Sequence, residues 1–433
     1  RLRPLDADGV IDLGGVALNV EANILDLQGE LLADQIVVDV RDEIILAGQL
    51  TAVSGEPTIL GSPKTSYGSE PLTEGAVDLS DIAKNLPDDP SAGIVIVPAD
   101  DTTPLSLGGA GGIAIDVDQL NALGRPLKIG SGAGSNPITV GGGDEPLVIN
   151  ASVALESSGE GGRIAIGGDA TFGALSIVGS GATTDLDEAV LTSTSTTEDM
   201  SIDDSVRAIG SAGITSASGL FISGYAIGTD RDDDVLTLSA SGDISIDGNI
   251  GGGIHSLSLR QATTGFVAGV YEDVALIGGS GSGATVTVTI ASDGSVGSVA
   301  IKKAGAGYVI GDDLRVSGTS LGGSQALDLD IESLASLEGL VVSDAGSVTF
   351  GGEIHMTGDI SINASGTVTF EDTVTLYEGA DILVEGASDV VLLGGVRFVG
   401  ADATESSMVL RSASDAESIG LESLLGLWAT KTN

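Results

Sequence analysis

The sequence predicts an all-β chain wound as a parallel β-helix, and three observations carry that expectation. Of 433 residues, 42% are hydrophobic while only 3% are aromatic, and there is no cysteine. That much apolar content is above the range of disordered chains, so a core exists. It must be packed with Val, Ile, Leu and Ala instead of the aromatic surface that dominates most interiors. The 66 glycines mark frequent turns. Most decisive, β-patterned runs recur at about twenty residues in two distant parts of the chain. A narrow coil lined by aliphatic stacks satisfies all three, because one turn cannot bury its inward residues but stacked neighbours can. An antiparallel sandwich, or a string of them, offers the same alternation. The constant interval favours the coil, expected to be right-handed from the general crossover preference.

Residues 1–55 are the first stretch of coil. Short runs follow one another from Val10, and matching them by type pairs Val16 with Ile36, Ile24 with Ile44 and Leu31 with Leu50. Three strands per turn result. The opening Arg1-Leu2-Arg3-Pro4 carries no initiator Met and no apolar leader, and reads as a processed product or an excerpt. Residues 56–110 hold Pro57, Pro63, Pro71, Pro87, Pro90, Pro98 and Pro104. Proline interrupts regular ladders, so this stretch reads as an excursion or small lobe. Residues 111–279 return to less regular coil. Residues 280–332 read as an insertion: Ala284 to Ile290 alternates, Asp293-Gly294 turns, and Val296 to Ile301 returns as a hairpin.

Residues 333–400 repeat the coil most clearly. Val348 is followed by Val368 and Val390, Ile354 by Val374 and Val396, and Ile360 by Ile382. Within Val348-Thr349-Phe350 one side faces a core and the other faces water. Residues 401–433 form a cap, where Leu421, Leu424, Leu425 and Trp428 have helical spacing over Ser418 to Trp428.

Two phrases, Gly242-Asp243-Ile244-Ser245-Ile246 and Gly358-Asp359-Ile360-Ser361-Ile362, with Ile362-Asn363-Ala364-Ser365-Gly366-Thr367-Val368-Thr369-Phe370, resemble the repeats of filamentous-haemagglutinin-like β-helical proteins. These are large secreted bacterial adhesins. The resemblance spans residues 10–55 and 235–400, and the secretion domain expected of that family is not visible. It implies a β-helix displayed outside the cell. The run Gly305 to Leu314 resembles a short β module found in phage tail and bacterial surface proteins.

The charge narrows the partners. Sixty-two acidic against 17 basic residues give a formal net charge of −45, which repels nucleic acid and anionic lipid. No run reaches the ~18 apolar residues of a membrane span.

Catalytic chemistry finds little purchase. The two histidines, His255 and His355, share the context Gly-x-Ile-His, which reads as a repeated, solvent-facing strand position. Nucleophile elbows and zinc spacings are absent. The acid clusters are the remaining signal. Asp230, Asp232, Asp234, Asp312 and Asp313 are calcium candidates, since Ca²⁺ takes six to eight oxygens from carboxylates and turn carbonyls. Asp203-Asp204 and Asp88-Asp89 share that character, and any single cluster reads more readily as a solvated acidic turn.

The expectation is an extracellular structural or adhesive rod that self-associates end to end, requires no cofactor beyond Ca²⁺ at most, and meets a cell-surface or glycan ligand. A calcium-held surface-layer lattice is the first alternative. A β-helical polysaccharide-active enzyme or tailspike is the second.

Overall fold

The computed structural model describes residues 103–411 apart from short internal breaks, and, before residue 103, the backbone of strands between residues 10 and 98. The chain is nearly all β, with mostly parallel strands forming a β-solenoid of about 12 turns and very little helix. It divides into two compact units, Arg1–Ser205 with Thr215–Ser218, and Val206–Ile214 with Gly219–Asn433.

In the first unit, Ala17–Leu27 pairs in parallel with Gln35–Leu46, and Leu31 faces Leu50 as the spacing predicts. Two other expected pairs shift. Ile36 faces Leu18, not Val16, and Ile44 faces Leu25, not Ile24. The interval here is 18 to 19 residues (36 − 18; 44 − 25), and a bulge between Ala22 and Ile24 supplies the odd residue. Matching by apolar type does not locate a bulge, which changes the count without changing the composition.

Residues 56–110 are not a single excursion, contrary to the proline-based expectation. Thr58–Gly61 pairs with Gln35–Leu46 on one side and with Ile94–Pro98 on the other, and Leu105–Leu107 pairs with Ile138–Gly141. The two described prolines fall where a ladder tolerates them: Pro98 is the last residue of its strand and Pro104 directly precedes Leu105.

The same unit holds a helix the periodicity did not announce, Val117–Leu123. Its caps are ordinary: the Asp116 carboxylate accepts from the Gln119 amide at 3.1 Å, and Gly124 closes it at φ 59°. Beyond it, Leu147–Ser157 alternates buried and outward residues along its length.

The second unit shows the coil at its plainest. One stack contains Gly339–Asp344, Asp359–Asn363, Ile382–Glu385 and Met408–Arg411. The next contains Val348–Phe350, Thr367–Phe370 and Asp389–Leu392. The third contains Ile354–Met356, Val374–Tyr377 and Val396–Val399. Every pairing expected from the spacing of residues 348–396 is present. Inward side chains stack turn on turn, and the rings of Phe350 and Phe370 lie 5.2 Å apart, 25° from parallel. Coil continues past residue 400, through Met408–Arg411. The expected helix at 418–428 lies outside the described residues.

The insertion is larger than residues 280–332. Ile244 pairs with Val348 and Ile250 with Ile354, an interval of 104 (348 − 244; 354 − 250) instead of about twenty. The chain departs at Gly251 and Gly252, both with positive φ (70° and 64°), and a Cβ at Gly251 would lie 1.9 Å from the His355 carbonyl oxygen. It then builds two antiparallel sheets. One comprises Gly253–Leu259, Leu327–Ala335, Leu314–Val316 and Ile277–Gly278; the other comprises Gly269–Ala275, Thr285–Ile290 and Val296–Lys303. The hairpin expected at 284–301 is the last two strands of the second sheet. The module has its own apolar core, including Phe266, Val286, Val288, Leu314, Leu327 and Leu329. Tyr308, from the Gly305–Leu314 run, is 1% exposed within it.

Candidate functional site

The site is built by ladder register. Pairing places Gly251, His355, Thr375 and Arg397 at one level of successive turns. Side chains alternate along a strand, so Glu353 and His355, then Thr373, Thr375 and Tyr377, then Arg397 and Val399, occupy the outer face of the third stack. An outer face normally meets water. Here the alternation fails: His355 is 7% exposed and Thr375 3% exposed, although their inward neighbours are buried too. The reason is the inserted module. Its residues Gly252, Ser280, Val309, Ile310, Leu334 and Ser336 roof this face, and together with it they line a cavity of about 670 Å³.

The polar groups inside are close to one another. His355 Nε2 lies 3.2 Å from Glu353 Oε2, and its Nδ1 lies 3.5 Å from Tyr377 Oη. Burial pushes the Tyr377 phenol above its usual range, against the opposing pull of Arg397. Among the described residues Arg397 has no ion-pair partner, and its side chain is exposed. Asp312 holds the roof: its Oδ2 accepts from the Ser280 amide at 3.0 Å, the Ser280 hydroxyl at 2.8 Å and the Val309 amide at 3.0 Å.

The two histidines are therefore not equivalent, correcting the repeated-position reading. His255 is exposed on Gly253–Leu259 of the inserted module, whereas His355 belongs to the coil and is covered. Their shared Gly-x-Ile-His context is a coincidence of local sequence: one lies in an antiparallel pair and the other in a parallel ladder.

Searches against protein-family models, curated proteins and solved structures return no match.

The calcium candidates separate. Asp230 and Asp232 lie outside the described residues. Asp234 is fully buried, accepting from the Gly210 amide at 2.6 Å and from the Thr229 amide and hydroxyl. Asp312 serves the roof, and Asp313 pairs with Arg260 at 2.7 Å, which also meets Asp330. Among the described residues no three acidic or imidazole groups gather in metal-binding proximity.

A second titratable group lies in the first unit. Asp204 is 4% exposed; the Thr184 hydroxyl donates to it at 2.9 Å and the Ser205 amide at 2.7 Å. Burial pushes its carboxyl up to about 7, and the neighbouring carboxylates Asp185 and Asp203 add to the effect. Its neighbour Asp203 is exposed, so the Asp203-Asp204 pair splits between core and solvent. Asp185 accepts from Arg163 Nε at 2.5 Å.

Sequence reasoning did not assemble the cavity. Intervals of 20 and 22 residues (375 − 355; 397 − 375) could have aligned His355, Thr375 and Arg397. Nothing local to those segments shows that residues 309 and 310 cover them.

Proposed function

We propose that this chain is an extracellular or bacterial cell-surface protein, structural or adhesive in role: a stalk, filament subunit or matrix component that assembles end to end. The observation that carries the reading is a parallel solenoid bearing a self-contained inserted module. Ladders formed turn on turn put many backbone hydrogen bonds in parallel with a pulling load, and the module presents a surface of its own. A terminal solenoid turn exposes unpaired strand edges, which another copy can satisfy. The resemblance of the Gly-Asp-Ile-Ser-Ile phrases to filamentous-haemagglutinin-like repeats supports the same role.

Electron microscopy of the purified chain at high concentration, with calcium and again with chelator, tests this. Filaments or lattices in both conditions are expected; dispersed single particles in both would remove end-to-end assembly. Loss of assembly in chelator alone would move the reading to a calcium-held surface lattice.

A second reading, a polysaccharide-active enzyme, is favoured by one observation: Glu353, His355, Tyr377 and Arg397 line a single cavity. Release of new reducing ends from a broad polysaccharide panel would support it. A panel left intact by the wild-type chain would dismiss it.

A further inference from the structure

The cavity wall mixes hydrogen-bonding characters that no simple ion would need. Glu353 only accepts, Arg397 only donates, and Thr373 and Tyr377 do both. A ligand meeting these groups must donate and accept at neighbouring atoms, as vicinal hydroxyls do. The roof contributes Val309 and Ile310, apolar surface of the kind that covers the C–H face of a sugar ring. Charge points the same way. The Glu353 carboxylate offsets the Arg397 guanidinium on the same wall, and the Asp312 carboxylate in the roof also acts on Tyr377, so no positive excess is left to hold an anion, which a chain of net charge −45 disfavours at long range as well. The volume, about 670 Å³, falls within the ~300–1,000 Å³ of sites that enclose small ligands. At the rim, Ile310 is 59% exposed, so a longer chain can continue outward.

We propose that this cavity, between the inserted module and strands Ile354–Met356, Val374–Tyr377 and Val396–Val399, binds a neutral oligosaccharide. The inference rests on the adhesive reading above and supplies its ligand class. Arg397 and Glu353 bond ring hydroxyls from the coil wall, and the roof packs on the apolar face.

The test uses the full chain and a panel of neutral hexose and N-acetylhexosamine oligosaccharides, with uronic-acid oligosaccharides alongside, read by titration calorimetry. At least one neutral oligosaccharide should bind. Arg397→Ala and Glu353→Gln should each weaken it tenfold or more. Arg411→Ala, which breaks an exposed pair with Glu385 outside the cavity, should leave it unchanged. Thermal melts followed by circular dichroism control for folding. If Glu353→Gln unfolds, Arg397→Ala alone decides, because that side chain bonds to no other described residue. Binding confined to uronic-acid sugars, no binding at all, or wild-type binding by both variants would overturn the proposal. Microscopy on the same samples separates the two readings. Assembly without sugar binding sinks the cavity assignment alone, whereas sugar binding by a chain that never assembles sinks only the filament.

Discussion

At the residue scale, the excess of aspartate acquires a structural role. Carboxylates at the corners of the coil accept amides from the following turn. Asp243 accepts from Ser347 at 2.7 Å, Asp359 from Asp381 at 2.9 Å, Asp381 from Ser407 at 2.6 Å, and Asp169 from Val190 at 2.9 Å. Three of these four aspartates directly follow a glycine, and each ties one turn to the next. Asp381→Ala should cost about 1–2 kcal/mol, and Asp381→Asn, which keeps an acceptor oxygen, distinctly less; urea unfolding measures both. Asp204 behaves differently. Its folded pKa, about 7, lies above the ordinary 3.8, so between those values the folded state holds a proton that the unfolded state has released. Stability therefore falls as pH rises from about 4 to about 7, by an amount on the order of a few kcal/mol. Asp204→Asn should raise the melting temperature at pH 8 and change it little near pH 4. An equal gain at both values would show that the carboxyl is not the source.

At the element scale, legibility followed the regularity of the corners. Between residues 348 and 396 the expected partners are the observed ones, because Val348, Val368 and Val390 sit at the same point of each strand and no bulge intervenes. Near residue 24 a single bulge defeated the same method. The helix Val117–Leu123 was signalled only by Asp116 and Gly124, seven residues of weak pattern between two ordinary caps. The cavity was less legible still, since it depends on a contact between segments that no local period connects. Two substitutions test the elements. Phe370→Ala opens the ring stack with Phe350 and should cost about 3–5 kcal/mol. Gly251→Ala places a methyl group against the His355 carbonyl at a positive-φ position, and should destabilise by on the order of 1–3 kcal/mol. A melt unchanged by Gly251→Ala would mean the departure point relaxes freely.

At the scale of the whole molecule, self-repulsion dominates. A formal charge of −45 over 433 residues opposes compaction, and screening shortens its reach from ~30 Å at 0.01 M salt to ~8 Å near 0.15 M. The melting temperature should climb between those ionic strengths with sodium chloride alone. A climb seen only with calcium would instead identify specific cation sites.

Successive turns of this coil are 20, 22 and 26 residues apart where Val348, Val368, Ile382 and Met408 find their partners, and 104 apart where Ile244 does. Strand alignment survives these changes with one register shift, between Leu238 and Ser239, in the pair that spans the longest of them. Corners consequently act as ports: length admitted there is carried outward, and the ladder across the insertion shifts by a single residue. Gly251-Gly252 is accordingly the point at which the chain leaves the ladder for a module that packs on an apolar core of its own, and the coil resumes beyond that module in nearly the same register.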